Sequence, residues 1–264
     1  MGLIRMRKAR IAIIGGTGFD DGCIEGFKSR IGTPYGPSST LTVGKIDGKD
    51  VVFLPRHDVG HKIPPHMINN RANIFAIHSL GVERILATNA VGAMNPKFRS
   101  GDIVIPHDFI DFTRSGYHTF YDYTPVTHVD VSTLYCPELR EIMIKAAAKR
   151  ITKPWAEAVY LNTAGPRYES PAEVRMFRTL GCDIVGMSGI SEAVLAHELE
   201  MCYATLCFVT NMAAGMQSKI STEEITQKGK GLELIIGDVL EETIVNIPKK
   251  RSCPCSNALE GARV

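Results

Sequence analysis

What most constrains this chain is a rhythm of short apolar, β-branched runs, each stopped by a turn residue, with helical patterns between them. The runs at 11–14 (IAII), 51–54 (VVFL), 85–88 (ILAT) and 103–105 (IVI) stop at Gly15-Gly16, Pro55, Asn89 and Pro106. Those at 159–163 (VYLNT), 184–187 (IVGM) and 204–209 (ATLCFV) stop at Gly165-Pro166, Ser188 and Thr210-Asn211. Continuous apolar runs of this length predict strands buried on both faces. Helical patterns fall at 68–80, 137–149, 171–180, 191–200 and 223–247. The alternation predicts an α/β fold, a single domain with a central mixed β-sheet flanked by helices. That domain is expected over 11–248, after an N-terminal leader (1–10) and before a C-terminal tail (249–264).

The bulk properties exclude several classes. A chain of 264 residues that is 44% hydrophobic and 22% charged is not disordered, coiled-coil or collagen-like. It buries enough surface to fold without a disulfide or a metal. Lys and Arg number 30 against 28 Asp and Glu, so no concentrated basic face for nucleic acid is expected. The few basic residues at the start (Arg5, Arg7, Lys8, Arg10) read as a solvated leader. No run reaches the ~18–20 apolar residues of a membrane span, and the first residues are too polar for a signal peptide, so the expected location is cytoplasmic. Cys136, Cys182, Cys202 and Cys207 sit in apolar contexts and read as small core hydrophobes. Cys253-Pro254-Cys255 lacks the second pair that a four-cysteine zinc site needs, and no metal is expected.

The chemistry-bearing residues follow predicted strand ends, where open α/β sheets bind their ligands: Thr17, Arg56-His57, Asn89, Glu169, Ser188 and Asn211. Each alone could be a capping group. Gly15-Gly16-Thr17-Gly18 suits a phosphate cradle or a dinucleotide-binding turn, although neither G-x-G-x-x-G nor a Walker loop is present. Arg56-His57 offers a fork of donors and a titratable one, which suits a dianion; the plain alternative is a surface Arg and a His before a helix. His61 and His66 lack the second ligand pair of a zinc site. Tyr168-Glu169 reads either as part of a pocket or as a helix start.

The segments GGTGFDD, PRHDVGHKIPPHMINNRANI, ATNAVGAM, GDIVIPHDFIDFT, LNTAGPRYES, GMSGISEAVLAHE and VTNMAAGM together resemble the trimeric purine nucleoside phosphorylase and 5′-methylthioadenosine phosphorylase family. The resemblance runs from about Ile11 to Thr226 and implies a single α/β domain. It implies an enzyme that cleaves the N-glycosidic bond of a purine nucleoside with inorganic phosphate as co-substrate, with no cofactor and no metal. The transition state is oxocarbenium-like, so the catalytic problem is electrostatic. By the same resemblance Thr17, Arg56, His57, Ser188 and the backbone of Ala90 would hold phosphate, with Asn211, His57 and Ser188 the catalytic groups. Met187, Tyr168, Glu169, Asn211 and Thr222 would contact the nucleoside, and His128 would reach over the sugar of a neighbouring subunit in a homotrimer or a dimer of trimers.

Two positions choose the base. Members acting on 6-aminopurines carry a T-D-x-D pattern where this chain has Thr210-Asn211-Met212-Ala213. An Asn amide donates to O6 and accepts from a protonated N7, whereas a carboxylate only accepts. Glu169 stands where 6-oxopurine members carry an acid for N1–H, a group adenine lacks. Inosine, guanosine and 5′-methylthioinosine are therefore the expected substrates, with 5′-methylthioadenosine as the alternative. Thr222 and its neighbour Ile220 leave the 5′ group open. A dinucleotide-dependent oxidoreductase explains neither Arg56-His57 nor Asn211, and a non-catalytic nucleoside-binding module leaves the phosphate residues without a purpose. The tail Cys253-Pro254-Cys255 resembles the C-x-C ending of heat-stable archaeal members, where it forms redox-active pairs; the plain alternative is two exposed thiols on a frayed end.

Overall fold

The computed structural model describes residues 9–19, 24–113 and 119–264. Most of the leader (1–8), and Asp20 and Asp21 of the first glycine motif, lie outside the described residues. The strands in the first half are β1 (Ile11–Gly15), β2 (Gly26–Ser29), β3 (Gly32–Thr33), β4 (Gly36–Pro37), β5 (Leu41–Ile46) and β6 (Lys49–Pro55). Those that follow are β7 (Arg84–Ala93), β8 (Ile103–Val104), β9 (Asp108–Asp111), β10 (Val159–Asn162), β11 (Ile184–Gly186) and β12 (Cys202–Met212). The helices are α1 (Asn70–Ser79), α2 (Pro137–Ala148), α3 (Pro171–Thr179), α4 (Ile190–Glu198) and α5 (Thr222–Asn246). No helix among the described residues is long and apolar enough to cross a membrane.

The expected strands are apolar throughout because both faces of the sheet are covered. On one face Ala12, Ile14, Val52, Leu54 and Ile85 pack with Ile74 and Ile77 of α1 and Ala193 and Ala196 of α4. On the other, Ile11, Ile13, Val51, Phe53 and Leu86 pack with Leu139 and Met143 of α2 and Ile236, Val239 and Leu240 of α5. Each Val, Leu, Ile, Phe or Met among them, fully buried, contributes about 1.5–3 kcal/mol. The alternation of successive residues between two covered faces is what gives a run such as IAII its lack of polar members.

The sheet is mixed and runs β2-β5-β6-β1-β7-β11-β10-β9, with β12 on the other edge of β7 and β8 beyond it. One edge of β7 changes partner part-way. Its first residues, Arg84 to Ala87, pair in parallel with β1, and Gly92 and Ala93 pair antiparallel with β11. Residues 88–91 lie between the two ladders. The carboxyl ends of β1 and β11, arriving from opposite directions, converge on this gap, and β6 ends beside β1. Such a change of partner is where an open sheet offers a crevice.

Two expectations need correcting here. Asn89 and Asn211 do not follow strands; they lie inside β7 and β12, which pair from Cys202↔Arg84 to Met212↔Ala93. A polar residue does not end these strands because its amide is satisfied inside the sheet: Asn89 Nδ2 donates to Thr205 Oγ1 at 2.7 Å. The ladder instead registers a bulge between Val209 and Asn211, which bends β12 locally and re-aims Asn211. The tail is not frayed either. Ser252 donates to Glu138, Arg251 Nη1 donates to the Glu200 carbonyl at 2.7 Å, and Cys253 and Cys255 are buried.

Candidate active site

The gap beside β7 opens into a cavity of about 240 Å³. It is lined by Thr17, Arg56, His57, Asn89, Ala90, Tyr168, Glu169, Met187, Ser188, Asn211 and Thr222. Ile220, Ile225 and His61 complete one wall. Every candidate residue is therefore brought together except His128, which lines a separate concave surface with Tyr121, Tyr123 and Val126.

One end is built around a buried cation. Arg56, just past β6, is 1% exposed. Its Nη2 donates to Glu192 Oε2 at 2.9 Å, its Nε donates to Oε1 of the same carboxylate, and its Nη1 donates to the Thr88 carbonyl at 2.8 Å. Burial alone would pull the Arg56 pKa down, but the charge of Glu192 and the paired hydrogen bonds more than reverse this and raise it. Tyr203 also donates to Glu192 Oε2, at 2.9 Å, and burial pushes its phenol well above the usual range, so it stays a donor. A guanidinium has five N–H donors. Three are committed to Glu192 and Thr88, which leaves one on each Nη for a ligand.

The glycine loop serves this end in an unexpected way. A Cβ at Gly16 would sit 2.3 Å from Arg56 Nη1 and 2.8 Å from the Thr88 carbonyl. The Gly16 N–H donates to Thr88 Oγ1 at 3.1 Å. Gly16 thus makes room for the guanidinium and spends its own N–H inside the protein, rather than cradling an anion. Gly18, at φ +83°, lies where a Cβ would come within 2.7 Å of Gly229 on α5, so the loop packs closely on that helix.

His57 Nδ1 lies 2.7 Å from the Ile63 carbonyl, which assigns that nitrogen a proton, and the ring stacks on His61 at 4.3 Å. Ser188, after β11, donates to Asn89 Oδ1 at 3.2 Å, so the chain Ser188–Asn89–Thr205 fixes the hydroxyl. Gly189, at φ +54°, then opens α4 with no side-chain cap. The first N–H groups of that helix are left for another acceptor, at the end where its dipole favours negative charge.

At the other end Glu169 and Asn211 are held by short-range contacts. A capping box of Ser170 and Glu173, with Pro171 in the first turn, starts α3 and leaves Glu169 just ahead of it. Thr163 Oγ1 donates to Glu169 Oε1 at 2.8 Å. Asn211 Oδ1 accepts from Thr210 at 2.8 Å and its Nδ2 donates to the Met212 carbonyl at 2.9 Å, which fixes which way the amide faces. One proton on Nδ2 and one lone pair on Oδ1 remain for a ligand. The Tyr168 and Thr222 hydroxyls meet at 3.2 Å.

Sequence reasoning missed Glu192, Tyr203 and Thr205, the residues that hold Arg56 and Asn89. An acid set among the apolar residues of ISEAVLAHE, where Glu192 is followed by Ala193, Val194, Leu195 and Ala196, was the available signal, since an unpaired buried carboxylate there would be costly. It also missed a second cysteine pair. Cys136 and Cys202 come from separate elements and stand with Cys253 and Cys255, the four sulfurs lying within 4.8 Å of one another. They are not independent core fillers; Cys182 and Cys207 are buried elsewhere.

Residues 10–244 match the profile of the Phosphorylase superfamily. The chain is 48% identical over 264 residues to the 6-oxopurine nucleoside phosphorylase of Pyrococcus furiosus, covering 96% of this chain and 98% of that protein. It is 49% identical over 256 residues to a protein of Methanopyrus kandleri named as a probable S-methyl-5′-thioinosine phosphorylase, covering 96% and 99%. A solved methylthioadenosine phosphorylase from an antarctic soil metagenomic library superimposes with a TM-score of 0.89 at 31% identity, covering 98% of this chain and 93% of that one.

Proposed function

This chain belongs to the phosphorylase superfamily, and from that premise we propose that it cleaves 6-oxopurine nucleosides with inorganic phosphate, giving the free base and an α-configured sugar 1-phosphate. The observation that carries the base assignment is the pair Glu169 and Asn211 on one wall of the cavity that also holds Arg56. Phosphate sits at the Arg56 end. It takes the two remaining Nη donors, the Thr17 hydroxyl, the Ala90 N–H, the Ser188 hydroxyl once its one proton turns from Asn89 Oδ1 to the anion, and His57, whose ring donates to an anion through Nε2 once that nitrogen is protonated. Glu192 already balances the charge of Arg56, so this end binds a dianion through directed donors more than through net charge.

The reaction moves one electron pair from the C1′–N9 bond onto the purine as a phosphate oxygen closes on C1′. Phosphate anion beneath the sugar stabilises the positive charge that develops there. The departing base takes a proton from solvent water at N7. Asn211 accepts from that N–H and donates to O6, while the Glu169 carboxylate accepts from N1–H. Adenine offers neither O6 nor N1–H, and both protein groups would be left unpaired against it, a mismatch that costs orders of magnitude in kcat/KM.

Met187 packs along the sugar, and Tyr168 and Thr222 close its 5′ side. Ile220 and Ile225 make that side largely apolar, which supports 5′-methylthioinosine as a substrate beside inosine and guanosine. His128 acts across a subunit boundary in a trimer or a dimer of trimers. Supporting this are the exposed Tyr123 and Val126 on the surface it lines, since such apolar surface marks an interface.

The test is base release from inosine, guanosine, 5′-methylthioinosine and 5′-methylthioadenosine, each with and without phosphate. Phosphate-dependent turnover of the first three and not the fourth is the expected pattern. Preferred cleavage of 5′-methylthioadenosine would overturn the base assignment, and turnover without phosphate would overturn the reaction.

A further inference from the structure

Far from the cavity, three separate segments deliver four thiols to one point. Cys136 is the N-cap of α2, Cys202 opens β12, and Cys253 and Cys255 flank Pro254 in the tail. All four are buried and free, their sulfurs lie within 4.8 Å of one another, and Cys202 and Cys253 are 3.3 Å apart. A tetrahedral ion with metal–sulfur bonds of about 2.3 Å holds its sulfurs about 3.8 Å apart. The cluster is already close to that size. One buried thiol is ordinary core filling, but four converging sulfurs from distant segments are a ligand set.

The surroundings carry the charge such a set would need. Four thiolates around a divalent ion leave a net charge of two minus, which a buried site must offset. Arg84 is the strand neighbour of Cys202, is 1% exposed, and its Nε and Nη2 have no hydrogen-bond acceptor among the described residues. Its nearest carboxylates, Glu83 and Glu138, stand off at 3.6 Å. Arg251, two residues before Cys253, donates to the carbonyl of Glu200, two residues before Cys202, which brings a second guanidinium to the same corner of the fold. Cys136 accepts from the Leu139 N–H at 3.5 Å, so its sulfur sits where the dipole of α2 favours an anion.

We propose that Cys136, Cys202, Cys253 and Cys255 bind a single thiophilic divalent metal ion, of which zinc best suits a tetrahedral four-sulfur set, and that this centre fastens the carboxyl tail to β12 and α2. Binding displaces the four thiol protons and needs no oxidant. Its consequence is structural. The tail continues from α5, whose first turn supplies Thr222 and Ile225 to the cavity wall, so the ion anchors the far end of a helix that lines the active site. The ion itself touches no residue assigned to phosphate or base.

The test begins with the wild-type protein expressed with added zinc and purified without chelator or reductant. Elemental analysis should find about one metal ion per chain. All seven cysteines should titrate as thiols after denaturation with chelator. Cys255→Ser and Cys136→Ser should each lose the metal and lower Tm by about 10 °C with kcat retained, whereas Cys182→Ser should keep the full complement. Metal-free protein in which the missing thiols appear as disulfides by intact mass would overturn the proposal. So would a metal content unchanged by Cys255→Ser.

Discussion

The two ends of the cavity are held by different kinds of contact. At the phosphate end Arg56 is fixed by Glu192 and the Thr88 carbonyl, and Ser188 by Asn89 and Thr205, partners brought from distant strands and a helix. At the base end Glu169 leans on Thr163, and Asn211 on its own neighbours Thr210 and Met212. The first arrangement exists only when the whole sheet is assembled and carries buried charge; the second is set by a few adjacent residues. A fold built this way keeps its anion site constant while the base it accepts changes with one or two side chains. Damage at the first end should therefore cost stability and rate together, and damage at the second should move specificity alone.

The largest expected effect breaks the first end. Arg56→Ala should lower phosphorolysis by about 10³-fold. Because it strands the buried Glu192 carboxylate, it should also cost about 3–5 kcal/mol in urea unfolding. Glu192→Gln is milder. It keeps a hydrogen-bonding partner for Arg56 but loses the charge, and should raise the KM for phosphate about tenfold, at a cost in stability of about 1–3 kcal/mol, with the KM for inosine nearly unchanged. Smallest is Thr222→Val at the other end. It should shift kcat/KM a few-fold from inosine towards 5′-methylthioinosine and leave unfolding within about 0.5 kcal/mol of wild type. A loss of stability in Thr222→Val matching that of Arg56→Ala would erase the distinction between the ends.

Much of this was legible in the sequence, for physical reasons that also explain what was not. Apolar runs such as IAII and VVFL are visible because both faces of the sheet are covered. β2 was invisible because its GFKS stretch is largely exposed and carries no apolar pattern. Arg56, His57, Ser188 and Glu169 were found because each follows a strand end, which the chain order reveals. Glu192 was not, because its role comes from a partner more than a hundred residues earlier that only folding brings near. Gly16 was found and misread, since its need is the guanidinium packed against it. The four cysteines failed for the same reason as Glu192: the C-x-C pair is written in the sequence, but its complement is split between the start of α2 and the start of β12.

The most direct test of the separation between the ends is the ratio of kcat/KM for inosine over adenosine, measured with the KM for phosphate and the Tm, in wild type and in Asn211→Asp. The account predicts a ratio that falls by about 10²-fold in the variant while phosphate KM and Tm hold. An unchanged ratio, or a ratio that falls only as phosphate binding and stability fall with it, would contradict it.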